Sequence, residues 1–207
     1  FDPKPDSVVL DGKVIRYSKN ICLMLNKPSG YVCSSDNREG IPVLSLLPDF
    51  PTVFPAGRLD KNTEGMLVLT DNGDIAHKII TPSKRVTKYY IAKLEKKYDF
   101  TYQKLFKDGI ILNNERCMPA EICSLGSDDH ALIELCEGKY HQVRRMLKAV
   151  GNGVEKLKRI QIGQLKMPDE LPIGGHMEIL HNDVEKLLKA DSFESVSARV
   201  RVDFSSL

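Results

Sequence analysis

The chain has 207 residues, enough for one sizeable core or one main domain with a small appendage. Its 42% hydrophobic and 28% charged residues are those of an ordinary globule, which excludes fibrous and disordered classes. A net charge of +2 excludes a generally polybasic protein, and no apolar run reaches membrane-spanning length, so a cytoplasmic protein without a membrane partner is expected.

Val8 to Tyr17 reads as a hairpin with Asp11-Gly12 as a type I′ turn. Ile21 to Leu25 is a buried-type strand, broken by Lys27-Pro28-Ser29-Gly30. The proline-rich stretch Pro42 to Pro55 is expected to wrap the surface. Gly65 to Thr70 is a strand, Asn72-Gly73 a turn, and Asp74 the expected N-cap of a helix through Ile80. Lys88 to Leu94 alternates with a period of two and reads as a strand. Asp99 or Thr101 can cap a helix that ends near Gly109.

Strands recur around Ile110 to Leu112, Ala120 to Cys123 and Ala131 to Cys136. Gly138 introduces a helix from His141 to Val150, stopped by Gly151. Strands near Leu157 to Ile162 and Met177 to Leu180 precede a last helix, Val184 to Ala190, capped by Asn182 or Asp183. Strands outnumber helices and are mostly hairpin-spaced, so the predicted class is α+β with a largely antiparallel mixed sheet. Residues 191–207 carry no readable pattern.

The five cysteines are odd in number and lack CxxC spacing, which favours buried reduced thiols over disulfides or zinc. No metal site is expected. Charge is unevenly spread: Lys139 to Lys166 holds eight lysines and arginines against one acid, Glu155. Such a stripe on a near-neutral chain points to a localised polyanion contact.

Two constellations carry chemistry. In AGRLDKNTEGMLVLTDNGD (Ala56 to Asp74), Asp60 stands between Arg58 and the apolar run Met66 to Leu69. A carboxylate fixed there suits a nucleophile or base, although turn aspartates before strands are common. On the helix His141 to Val150, residues Val143, Met146, Leu147 and Val150 form one apolar stripe. Arg144 lies at its edge beside Leu147, while His141, Arg145 and Lys148 point toward water. A half-desolvated arginine needs a carboxylate or phosphate partner, or else snorkels over the core edge.

These segments resemble the RsuA-like pseudouridine synthases, which modify ribosomal RNA. The resemblance covers residues 21 to about 188. LMLNKPSGYVCS (Leu23 to Ser34) is similar to the family's opening strand and turn, and GRLDKNTEGMLVLTDNGD (Gly57 to Asp74) to its catalytic loop and following strand. KYYIAKL (Lys88 to Leu94) resembles the second motif and EGKYHQVRRMLKAVGN (Glu137 to Asn152) the third. Four matches in order are highly specific.

The resemblance implies Asp60 as the catalytic carboxylate, Arg144 as its ion-pair partner and Tyr90 as the aromatic residue near the base. Leu147 would lie beside the aspartate, and Arg58 would hold the loop or fill the space left by a flipped base. Lys88, Lys139, His141, Gln142, Arg145 and Lys148 complete the expected substrate contacts. The implied reaction converts uridine to pseudouridine without cofactor or metal. KYHQV points to small-subunit 16S RNA, because large-subunit relatives more often have asparagine and arginine where Tyr140 and His141 stand. Ribosomal RNA or an assembly intermediate is the expected partner, and a monomer the expected state. Residues 1–20 are expected to be the remnant of an S4-like RNA-binding domain, 21–190 the catalytic domain and 191–207 a tail. The alternatives are the same reaction on 23S RNA and a non-catalytic RNA-binding assembly factor.

Overall fold

The computed structural model describes residues 7–10, 13–16, 20–34 and 38–205. The expected N-terminal hairpin is present, with β1 (Ser7–Leu10) antiparallel to β2 (Lys13–Arg16) and Val9 opposite Val14. Its Asp11-Gly12 turn lies outside the described residues.

The chain then builds β3 (Cys22–Lys27), β4 (Tyr31–Val32), β5 (Ile41–Pro42), β6 (Phe54–Pro55) and β7 (Glu64–Thr70). Helix α1 (Gly73–Ile80) and β8 (Lys88–Leu94) follow. Next come α2 (Thr101–Asp108), β9 (Ile111–Leu112), β10 (Glu115–Arg116), β11 (Glu121–Ser124) and β12 (His130–Leu135). The last part holds α3 (Gln142–Ala149), β13 (Val154–Ile162), β14 (Leu165–Lys166), β15 (His176–Glu178), α4 (His181–Leu188) and α5 (Phe193–Ser205).

The main sheet runs β11-β12-β8-β13-β7-β3-β15, with β14 added to β13 and β6 to β7. Its pairings are antiparallel except that of β13 with β7. This is the α+β class expected from the sequence. No described helix is long and apolar enough to cross a membrane.

Strand alternation sorts side chains to two faces, and both faces are covered. On the front, Leu23 and Leu25, Leu67 and Leu69, and Tyr90, Ala92 and Leu94 share a core with Phe106 of α2 and Val143, Met146 and Leu147 of α3. On the back, Met24, Met66 and Val68 pack with Ile79 of α1 and Leu187 of α4. Tyr89 and Leu132 pack there with Val196 and Val200 of α5. Two-sided burial explains the unbroken apolar run Met66 to Leu69, each residue 0% exposed. Gly65 permits the parallel β7–β13 contact: at φ +96°, an added Cβ would lie 2.2 Å from the Arg159 carbonyl oxygen.

The starts of α1 and α4 and the C-terminal segment differ from expectation. Asn72, not Asp74, caps α1, its side chain accepting from the Asp74 and Ile75 amides at 2.9 and 3.2 Å. An Asn at that position reaches two otherwise orphan donors, whereas Asp74 is already inside the first turn. Helix α4 begins at His181 because the Leu180 carbonyl accepts from the Asp183 and Val184 amides, which leaves Asp183 within the first turn and paired to Lys186 at 2.7 Å. The segment after Ala190, without a readable pattern, forms α5.

Candidate active site

The loop between β6 and β7 carries Asp60 on the front of the sheet, and its backbone is held by two cations. Lys27, 0% exposed at the end of β3, donates from Nζ to the carbonyls of Pro28, Asp60, Lys61 and Thr63 at 2.8–3.3 Å. Burial lowers its pKa first, Arg159 lowers it further, and Cys33, Asp60 and Glu64 oppose the fall. Arg144 donates from Nη2 to the Asn62 carbonyl at 3.1 Å and from Nη1 to Val154 at 2.8 Å. Four consecutive carbonyls, from Asp60 to Thr63, therefore each receive a cationic donor. The loop is fixed by its main chain rather than by its carboxylate.

That corrects the expected Asp60–Arg144 ion pair. Among the described residues no such pair forms, because the guanidinium is taken up by two backbone carbonyls. The carboxylate instead meets the imidazole of His141, whose Nε2 lies 3.7 Å from Asp60 Oδ1. His141 precedes α3 in the left-handed region at φ 49°, ψ 35°, a conformation uncommon outside glycine.

Asp60 opens onto a cavity of about 840 Å³ whose wall also includes Arg58, Lys88, Tyr90, Lys139, His141 and Gln142. Seven of the eleven expected site residues thus meet in one cavity. Arg144, Arg145, Leu147 and Lys148 do not line it. Leu147 is 0% exposed in the core that also holds Leu59, the residue before Asp60. Arg145 donates to the Tyr140 carbonyl at 3.2 Å, and Lys148 is exposed on α3. Gln142 is a brace: Nε2 donates to Glu137 Oε1 at 2.6 Å, and Oε1 accepts from the Lys139 amide at 2.8 Å.

Arg159 of β13 also lines the cavity, and sequence reasoning counted it only as part of the basic stripe. It is 2% exposed. Its Nε donates to the Met66 carbonyl at 2.7 Å and its Nη1 to the Tyr90 hydroxyl at 3.4 Å, with Cζ 5.9 Å from the Tyr90 ring centroid. Its Nη2 is buried without a hydrogen-bond partner among the described residues. The available signal was strand parity: Arg159 sits two residues after the inward-facing Leu157. Nearby, burial pushes the Lys88 ammonium down to about 8, the positive charge of Arg159 adds to the fall, and Cys136 opposes it. The ammonium donates to the Val86 carbonyl at 3.0 Å.

A carboxylate, a phenol and two buried cations around a nucleotide-sized space suit base chemistry on a polyanionic substrate. Comparison with known proteins agrees. The family model of RNA pseudouridylate synthases matches residues 21–149. Ribosomal small subunit pseudouridine synthase A of Haemophilus influenzae is 36% identical, over 80% of this chain and 73% of its own length. A chloroplast protein of Arabidopsis thaliana, SVR1, named for the ribosomal large subunit, is 30% identical over 90% of this chain and 50% of its own. A crystal structure of a pseudouridylate synthase superposes with a TM-score of 0.77 at 32% identity, covering 84% of this chain and 76% of that one. The chain belongs to the RNA pseudouridylate synthases, a family of isomerases, on its RsuA-like side.

Proposed function

We propose that the chain isomerises uridine to pseudouridine in small-subunit 16S ribosomal RNA, with Asp60 as the catalytic carboxylate. The observation that carries this reading is the Asp60 loop: its backbone is fixed by Lys27 and Arg144, while the carboxylate faces the cavity. The small-subunit assignment draws on relatives named for that RNA. In this reading residues 21–190 act as the catalytic domain of a cytoplasmic monomer.

The reaction breaks N1–C1′, turns the base and forms C5–C1′. The C5 proton leaves and N1 gains one, so atoms and electrons balance without an external oxidant or reductant. A uridine inside a stacked helix cannot reach Asp60, so the target is single-stranded or flipped, at a cost of a few kcal/mol. Tyr90 stacks on the uracil with its hydroxyl available for proton transfer. Arg159 acts through Tyr90 as a positioning residue. Lys88 supplies positive charge to the inner wall, and Arg58, Lys139, Arg145 and Lys148 meet the RNA backbone outside.

Tritium release from 5-tritiated uridine tests the assignment, because the C5 hydrogen is lost as the new bond forms. Release from small-subunit transcripts and none from large-subunit transcripts is expected. The Arabidopsis relative favours one second reading, the same reaction on large-subunit RNA, and the reverse pattern would establish it.

A further inference from the structure

Tyr140 stands at the mouth of the cavity with 76% of its surface exposed. Its ring lies parallel to that of His141, with centroids 3.9 Å apart and planes 15° from each other. His141 is in turn the residue whose Nε2 approaches the Asp60 carboxylate. One face of the tyrosine is therefore covered by an imidazole that reaches the catalytic group, and the ring stands as the outer layer of a two-ring stack.

The turn that presents this stack is fixed. Glu137 is 8% exposed and accepts on Oε1 from the Met118 amide at 2.9 Å and from Gln142 Nε2 at 2.6 Å. Gln142, 4% exposed, holds the Lys139 amide through its side chain and the Lys139 carbonyl through its own amide at 3.1 Å. Arg145 binds the Tyr140 carbonyl, which places a guanidinium beside the stack. His141 pays a left-handed backbone for its place in it.

We infer that the Tyr140–His141 stack is a platform for the nucleobase next to the target uridine. A base in single-stranded RNA offers a flat π-face, and stacking on aromatic side chains is how proteins hold such bases splayed from their neighbours. The surroundings favour RNA over a protein partner. Arg58, whose side chain is 71% exposed, also lines the cavity and pairs at 3.6 Å with Glu39, and Arg145 flanks the tyrosine. With a neighbouring base seated outside, the flipped uridine is held in the cavity by both its own contacts and those of its neighbour. The inference rests on the reading of the chain as an RNA pseudouridine synthase.

Tritium-release kinetics on rRNA transcripts, with wild type beside Tyr140→Ala, Tyr140→Leu and Tyr140→Phe, test it. Tyr140→Ala is expected to raise KM about tenfold, with kcat within about twofold, since a lost stacking contact weakens substrate binding and leaves the chemistry in place. Tyr140→Phe, which keeps the ring, is expected to retain the wild-type KM. Tyr140→Leu, apolar but not planar, should resemble Tyr140→Ala. An unchanged KM in Tyr140→Ala, with active wild type, would overturn the stacking platform and leave the proposed reaction standing. A rescue by Leu equal to that by Phe would also overturn it. Inactive wild type on both RNAs would remove the proposed reaction and the platform with it.

Discussion

Tyr89 and Tyr90 are neighbours on β8, and they face opposite sides of the sheet. Tyr89 points back and is sealed under α5, its hydroxyl donating to the Asp191 carbonyl at 2.8 Å. Around it, Gln161 donates to the Gly163 carbonyl at 2.7 Å and to Asp191 Oδ2 at 2.9 Å, and accepts from Arg199. Tyr90 points forward to the edge of a cavity, and its hydroxyl meets only the long 3.4 Å contact from Arg159 among the described residues. Both faces hold tyrosine, arginine and carboxylate side chains. What separates them is the cover: a helix lies over the polar groups of the back, while the front leaves its groups along the wall of a substrate-sized space. Residue type alone does not mark a site, but polar valency left open to a cavity does.

If that contrast is right, substitutions on the two faces should fail differently. The largest effect is expected from Lys27→Met, which leaves several carbonyls of the Asp60 loop without their donor. Stability should fall by about 2–4 kcal/mol and turnover with it, checked by chemical denaturation and tritium release. Normal turnover there would show that the loop does not depend on its ammonium clamp. Tyr90→Phe should lower kcat about 10²-fold while the melting temperature stays put, since it removes a proton-transfer group and only a weak contact.

Lys88→Met sharpens the contrast through pH. The folded-state pKa of Lys88, about 8, lies below its unfolded value near 10.5. Below pH 8 its charge in the folded state therefore costs stability. As pH rises from about 8 to 10.5 the folded state binds fewer protons than the unfolded one, and that cost disappears. The variant should be more stable than wild type at pH 7, by at most about 3 kcal/mol less about 1 for the orphaned Val86 carbonyl. The gain should shrink through that window in thermal melts at stepped pH, and a pH-independent difference would contradict the charged, buried state. The smallest effect belongs to the back face: Tyr89→Phe should cost about 1 kcal/mol of stability and leave kcat unchanged. A loss of kcat there would erase the distinction between the faces.

The central strands β3, β7 and β12 were legible as short apolar runs bounded by turn residues, β8 by its alternation, and the α3 stripe because Val143, Met146 and Leu147 all turn inward. The Asp60 loop was legible from its motif and from the apolar strand behind it. Helix α5 was not, since its apolar contacts Phe193, Val196 and Val200 stand among serines and valines, residues of weak helix propensity. Lys27 was read as part of a chain break, because lysine is rarely buried and three of the four carbonyls that keep it there lie more than thirty residues away. For Arg144 the helix wheel left a carboxylate, a phosphate or snorkelling open, and the carboxylate partner was what the family resemblance implied. A wheel shows that an arginine is half buried, not whether a side chain or a distant backbone meets it.

The central claim is that Asp60 does the chemistry and the surrounding cations hold its loop. The most direct test is tritium release by Asp60→Asn beside wild type on the same rRNA, with thermal melting and RNA binding measured in parallel. The account predicts loss of release by about 10³-fold or more, with melting and binding close to wild type. Release near the wild-type rate would contradict it and move the chemistry to another group in the cavity.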